Sequence, residues 1–286
     1  MEKDKLLIRD ILYVVLFAAL FFLIQFAVEI GGALIYGMDK GLSVQDVVMG
    51  MAAGKYGQVL TATVVLSSLI TIVLYGRMKW SPVSRTYLKS KPWSVVFWVV
   101  FLALGTILPL EWIYEHIQLT MPEQTTQLFE SIMKEPWGYA AIGLLVPVAE
   151  EMVFRGGILR KLLQMFSSTA AGNAGNKNHW AAIVISALIF GVMHGNVAQG
   201  IHAFIIGLLL GWMYYRTRSI IPTIAFHWVN NSVAYAMYNL MPQMNDGKLI
   251  DLFHGNSKMM YMGLAFSFCI IIPAVIQLYA RMKPAK

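Results

Sequence analysis

The stretch P-V-A-E-E-M-V-F-R-G-G-I-L-R, from Pro147 to Arg160, decides what this chain is organised around. It places two adjacent carboxylates, Glu150 and Glu151, in an apolar run that begins at Trp137, with Arg155 four residues further on. A charged side chain near the centre of a bilayer costs at least about 2.5–3.5 kcal/mol on insertion scales. Two acids and a base within six residues therefore indicate that this segment does more than cross a membrane.

The composition indicates an integral membrane protein. Of the 286 residues 58% are hydrophobic and 13% are charged, whereas a soluble domain is about 25% charged. The net charge of +7 does not indicate a nucleic-acid partner, because the basic residues lie between apolar runs, where they act as orientation signals. The single cysteine, Cys269, excludes an intramolecular disulfide and a cysteine metal cluster.

The apolar runs predict an all-α polytopic membrane protein with about eight transmembrane helices and an intramembrane active-site cavity. A hydrocarbon core of about 30 Å requires roughly 20 apolar helical residues. The fifth and sixth runs are short and are also compatible with one re-entrant pair. The predicted spans are 11–36, 58–75, 92–112, 137–163, 180–194, 201–215, 220–240 and 259–280.

The distribution of Lys and Arg predicts that both termini are cytoplasmic. With the N-terminus inside, the outer segments hold five of the 22 basic residues and the inner segments hold the rest. Two connections stand out. Residues 119–135 read as an exposed loop or interfacial helix, and residues 167–179 as a flexible inner loop.

The chain is expected to form a single integral membrane domain in three parts. Residues 1–136 supply about three N-terminal spans and an outer loop. Residues 137–240 hold the polar motifs and form the predicted catalytic core. Residues 241–286 supply a second outer loop and the last span.

Within the first motif, helical spacing separates the roles of the two glutamates. Glu151 and Arg155 are four residues apart and share a helix face, so they can pair. Glu150 is turned by about 100° and does not share that partner. Either Glu150 is a reactive carboxylate beside a supporting ion pair, or all three form a structural ion network without chemistry.

Two further motifs add histidines. Phe190 and His194 share a face at the end of the fifth span, and His227 and Asn231 share a face early in the seventh. With Glu150 they make a set competent for hydrolysis. Glu150 and His194 can activate water, and His227 and Asn231 can stabilise an oxyanion. Alternatively, Glu150, His194 and His227 can bind Zn²⁺, although no H-E-x-x-H sequence is present. The other histidines, including His202, lie near span ends or in loops and are not expected to have a catalytic role.

The motifs E-E-x-x-x-R, F-x-x-x-H and H-x-x-x-N, in this order on successive spans, resemble those of the CPBP family of intramembrane proteases. That family includes the type II CAAX prenyl endopeptidases and bacterial Abi-type proteins. The resemblance implies an eight-span helical fold with Glu150, His194, His227 and Asn231 as catalytic residues. Glu151, Arg155 and Phe190 match supporting positions. Both a metal and a metal-free, glutamate-activated water are proposed for the family.

The resulting hypothesis is an endopeptidase in a bacterial plasma membrane that cuts a small peptide or a membrane-associated protein. Its partners are then the lipid bilayer and that substrate, and no nucleic acid. The alternative is a non-catalytic immunity or scaffold protein of the bacteriocin self-immunity type, which binds a partner through the same fold. A proton-coupled transporter is disfavoured, because the chain shows none of the repeated halves common in transporters.

Overall fold

The computed structural model describes residues 2–82, 84–169, 179–241 and 247–284. Within these residues the chain is helical and contains no strand, which confirms the predicted all-α class. The helices of the first half are α1 (Glu2–Lys40), α2 (Val44–Ala52), α3 (Gly57–Arg77), α4 (Arg85–Lys89), α5 (Trp93–His116) and α6 (Glu123–Met133).

The second half begins with one helical run that changes its hydrogen-bonding pattern three times. Its segments are a π-helix at Tyr139–Leu145, α7 (Val146–Glu151), a second π-helix at Met152–Leu159 and α8 (Arg160–Thr169). The remaining elements are α9 (His179–Val192), α10 (Val197–Thr217), α11 (Ile221–Leu240), a 3₁₀ turn at Leu249–Phe253 and α12 (Ser257–Arg281).

Five helices in the described residues are long and apolar enough to cross a membrane, and α9 is a shorter apolar helix. All eight predicted spans are helical over most of their length, but this criterion does not confirm a count of eight. The first span is longer than predicted. With 39 residues, α1 extends about 58 Å, nearly twice the roughly 30 Å of a hydrocarbon core. The five long helices are α1, from Leu7 onward, α3, α5, α10 and α12.

The two connections that stand out in the sequence differ in how far the structure describes them. Residues 119–135 contain a real helix, α6, which packs against α2 and α3 and is not an extended loop. Of residues 167–179, the first three continue α8 and His179 begins α9, so these ends are helical. The intervening residues 170–178 lie outside the described residues.

Three hydrophobic clusters hold the helices together, and the run through the glutamates contributes to two of them. All residues of the π-helix Met152–Leu159 are buried, and several of them pack against α1, α9 and α10. The second cluster joins α5, α10, α11 and α12. The third joins α1, α2, α3 and α6 with the π-helix Tyr139–Leu145. The helical run therefore lies where polar side chains can be surrounded on all sides.

Small residues bring α9 and α10 close together. A Cβ at Gly191 would lie 2.6 Å from the backbone oxygen of Gly200, and one at Gly211 would lie 2.7 Å from a side-chain carbon of Ile183. Glycine permits this approach because it has no Cβ, as in many membrane helix pairs. The spacing fixes the C-terminal end of α9, where His194 follows.

Candidate active site

The glutamates follow a change in the hydrogen-bonding pattern of the helix, and Pro147 explains why one carbonyl there lacks a backbone donor. In the first π-helix the N–H of Val146 donates to the carbonyl of Ala141, five residues earlier. The next donor in that pattern would be Pro147, which has no N–H. The carbonyl of Ile142, its acceptor, is bonded instead by the side-chain Nδ2 of Asn231 at 3.0 Å. An amide from α11 thus replaces the missing backbone donor, and π-helical segments of this kind are frequent at functional sites.

Glu151 lies at the centre of a buried ion network. Its side chain has no exposed surface, and its Oε1 accepts from Arg155 Nη1 at 2.8 Å. The same oxygen lies 3.0 Å from His227 Nδ1. An ionised carboxylate only accepts hydrogen bonds, so Nδ1 carries the proton and donates to Glu151. The predicted pair is present, and it also orients an imidazole from α11.

Glu150 faces the other nitrogen of the same histidine. Its Oε2 lies 3.6 Å from His227 Nε2, and its side chain retains 14% exposure. This separation is slightly longer than a hydrogen bond and leaves Nε2 able to exchange a proton with the carboxylate or to contact a third oxygen. His227 is therefore held by one glutamate and presented to the other.

Phe190 forms the wall that joins the three motifs. The Arg155 guanidinium lies over its ring, with Cζ 4.3 Å from the centroid. The rings of His194 and His227 meet it edge-on, at centroid distances of 4.9 Å and 6.1 Å. A cation over an aromatic face is stabilised by the ring quadrupole. The phenylalanine thus positions both histidines and one face of the arginine.

His194 has a defined tautomer. Its Nδ1 lies 2.8 Å from the carbonyl of Phe190, four residues earlier. A carbonyl can only accept, so Nδ1 carries the proton and Nε2 of the neutral ring is an acceptor. The half-buried imidazole is suited to receive a proton from a water molecule.

A second polar group secures α11 against the first π-helix. The hydroxyl of Tyr139 accepts from Trp228 Nε1 at 3.0 Å and lies 3.1 Å from Ser232 Oγ. Together with the bond from Asn231 to Ile142, these contacts hold the helix that carries His227. Asn231 retains a second amide hydrogen, which the Ile142 contact does not use.

A further histidine, on α10, contacts the helix that carries His227. His202, in the first turns of α10, has Nε2 3.5 Å from Asn230 Nδ2 and its ring 5.4 Å from that of Tyr114. Its position near a predicted span end gave no sign of this, because the contact depends on how α10 packs against α11. The F-x-x-x-H and H-x-x-x-N motifs do not include it.

The predicted metal ligands do not come together as a set. Among the described residues, no group of three or more His, Cys, Asp or Glu side chains is arranged to hold a metal ion. Glu150 and His227 face each other. His194 instead contacts the ring of Phe190, which His227 also contacts. This donor geometry does not fit the usual catalytic Zn²⁺ site of three protein ligands and a water.

Comparison with known proteins points in the same direction as the motifs. Residues 132–233 match the family model described as Rce1-like, type II CAAX prenyl endopeptidase. No curated protein and no solved structure matches the chain. The matched segment runs from the end of α6 into α11 and contains every predicted site residue. The predicted resemblance to the CPBP family of CAAX-type proteases is thereby confirmed over residues 132–233.

Proposed function

We propose that this protein is an intramembrane endopeptidase that hydrolyses a peptide bond in a membrane-associated protein or small peptide. The observation that supports this most strongly is the placement of His227 between two glutamates, 3.0 Å from Glu151 and 3.6 Å from Glu150. A purely structural ion network would need no second carboxylate at the free imidazole nitrogen. Glu150, the partly exposed one, is the carboxylate left for chemistry.

In the proposed mechanism Glu150 is the general base. It takes a proton from a water molecule, and Nε2 of His194 helps to position that water. The resulting hydroxide attacks the carbonyl carbon of the peptide bond. The negative charge that develops on the carbonyl oxygen is stabilised by the second amide hydrogen of Asn231 and by an Nε2–H of His227, which requires the doubly protonated ring because Nδ1 donates to Glu151. The proton held by Glu150 then passes to the leaving amine, which completes hydrolysis.

The supporting residues act on the imidazole and on the helix. Glu151 fixes the tautomer and direction of His227, in the way that a carboxylate orients the histidine of a catalytic triad. Arg155 neutralises Glu151 at a site where an unpaired charge would be costly. Phe190 carries the guanidinium on its face and limits the rotation of both histidine rings.

The decisive experiment compares the wild type with Glu150→Gln, purified in detergent, against a library of fluorogenic peptides. Glu130→Gln, which removes a carboxylate from the outer helix α6, is the matched control. Cleavage by the wild type and by Glu130→Gln, but not by Glu150→Gln, supports the proposal. Cleavage by all three would remove Glu150 from the mechanism.

The role of a metal is tested on the same samples. Activity that survives a chelator, in protein without bound metal, supports a water activated by Glu150 and His194. Activity that is lost with chelator and restored by Zn²⁺ assigns the reaction to the metal alternative instead. The immunity or scaffold alternative makes a different prediction. It retains biological function in Glu150→Gln and loses it when residues 123–135 of the outer segment are changed.

A further inference from the structure

A second site lies apart from the glutamates, at the basic ends of three helices. Here a cavity of about 320 Å³ is lined by Arg9, Tyr13, Phe17, Trp80, Arg160 and Lys161. The first three residues belong to α1, Trp80 follows the end of α3, and the last two begin α8. Arg160 is more than two helical turns from Glu151, so this cavity is not part of the site described above.

The charges of the cavity are not balanced by the protein. Asp10 is the acid that pairs with its cations. Its Oδ1 lies 3.1 Å from Lys161 Nζ and 3.8 Å from Arg9 Nε. Arg160 has no carboxylate partner among the described residues. Its Nη2 donates to the backbone carbonyl of Trp80 at 2.7 Å, and its Nε is buried without a hydrogen bond. Three cations thus face one anion, and the Nε of Arg160 has no hydrogen-bond partner.

One of the cations, Lys161, is held against a wall of aromatic rings. Lys161 Nζ lies 4.8 Å from the centroid of the Tyr13 ring. Phe17 packs against Tyr13 and Trp80, at centroid distances of 5.7 Å and 5.3 Å. This wall fixes the direction of the basic groups before a ligand binds, and it offers an apolar surface beside them. Mobile surface lysines provide neither feature.

We propose that this cavity binds the phosphodiester headgroup of an anionic phospholipid. Arginine presents donors in a geometry that matches phosphate oxygens, and Arg9 and Arg160 line the cavity together with Lys161. The position at helix ends matches the depth of headgroups, because the uninterrupted apolar run of α1 begins at Ile11, directly after Arg9 and Asp10, and Tyr and Trp favour that interface. Basic pockets between membrane helices bind anionic headgroups in this way.

The test measures lipid binding and does not depend on protease activity. Phosphatidylglycerol, phosphatidylcholine or inorganic phosphate is added to the full-length protein in neutral detergent, and the thermal midpoint and the bound lipid are measured, the latter by native mass spectrometry. The variants are Arg160→Gln and Arg9→Gln. Arg9 is the safer substitution, because its side chain is 58% exposed and is not part of the buried core.

Arg216→Gln is the matched control. Like Arg160, it donates from Nη2 to a backbone carbonyl, that of Tyr279, and like Lys161 it lies over a tyrosine ring. Arg216 does not line the cavity. Phosphatidylglycerol is expected to raise the midpoint more than phosphatidylcholine does. Each cavity substitution should weaken the apparent affinity for phosphatidylglycerol by about fivefold, whereas Arg216→Gln should leave that affinity unchanged.

Three results would overturn the proposal. The first is an equal response to both lipids. The second is the same loss of affinity in Arg216→Gln as in Arg9→Gln, which would indicate a general charge effect. The third is stabilisation by inorganic phosphate alone that matches the lipid, which would assign the cavity to a soluble phosphate compound.

Discussion

The side chain of Asn231 takes the place of a backbone donor. Its Nδ2 donates to the carbonyl of Ile142, to which Pro147 cannot donate because it has no N–H. The bond connects α11 to the π-helix that precedes the glutamates. It sets the height of His227 against Glu150 and Glu151. Asn231 therefore has a structural task in addition to the proposed contact with an oxyanion.

Asn231→Ala is expected to lower both stability and activity. The Ile142 carbonyl loses its interhelical donor, which costs about 1–2 kcal/mol. Asn239→Ala is the control. Asn239 also lies on α11 and donates to a backbone carbonyl at 3.0 Å, but its acceptor is Tyr235 of the same helix and its side chain is exposed. The thermal midpoint and kcat of both variants check this. An unchanged midpoint in Asn231→Ala would show that the bond to Ile142 does not hold the helices.

Substitutions of the two adjacent glutamates should differ in their effect on stability, although both are expected to lower turnover. Glu151→Gln leaves the buried Arg155 guanidinium unpaired, which costs about 3–5 kcal/mol. Glu150→Gln should cost less than about 1 kcal/mol, since Glu150 is partly exposed and, unlike Glu151, makes no hydrogen bond to Arg155. Unfolding in detergent with each single variant measures the difference. Equal losses would contradict the assignment of Glu151 as the structural partner.

His194→Gln is expected to lower kcat by about 10²–10⁴, the usual contribution of a positioned acid–base group. His116→Gln should leave kcat unchanged. The two histidines are matched, because His116 also bonds the carbonyl four residues earlier at 2.8 Å, but it lies at the exposed end of α5. A similar loss in both variants would point to helix-end stability as the cause.

Gly191→Ala should destabilise the protein and reduce activity. The added Cβ would meet the Gly200 backbone oxygen at 2.6 Å, and separating two packed helices costs about 1–3 kcal/mol. His194, three residues later, would move with α9. Gly31→Ala in α1 is the control, because a Cβ there meets nothing within 4 Å. Its midpoint should stay the same or rise, since alanine favours a helix over glycine.

The predicted orientation can be tested with two exposed positions. In a Cys269→Ala background, a membrane-impermeant thiol reagent applied to intact cells should label Lys55→Cys but not Lys89→Cys. Both side chains are exposed, so their accessibility depends on the side of the membrane and not on burial. The reverse labelling would place the termini outside.

The sequence alone determined the class of the fold and which residues are candidates for the site. Long apolar runs have few solutions in a bilayer, because each backbone polar group must be satisfied within the segment, and helices do this locally. The pairing of Glu151 with Arg155 follows from helical spacing in the same way. The three motifs carried the family resemblance without any knowledge of the structure.

Only the tertiary structure decided how these residues meet. The sharing of His227 between two glutamates, the bond from Asn231 to Ile142 and the closeness of His202 to Asn230 all join different helices. Helical periodicity fixes which face a residue occupies, but not which neighbour that face meets. The rotation and depth of each helix follow from small-residue contacts such as Gly191 on Gly200, and from the change of hydrogen-bonding pattern before Pro147.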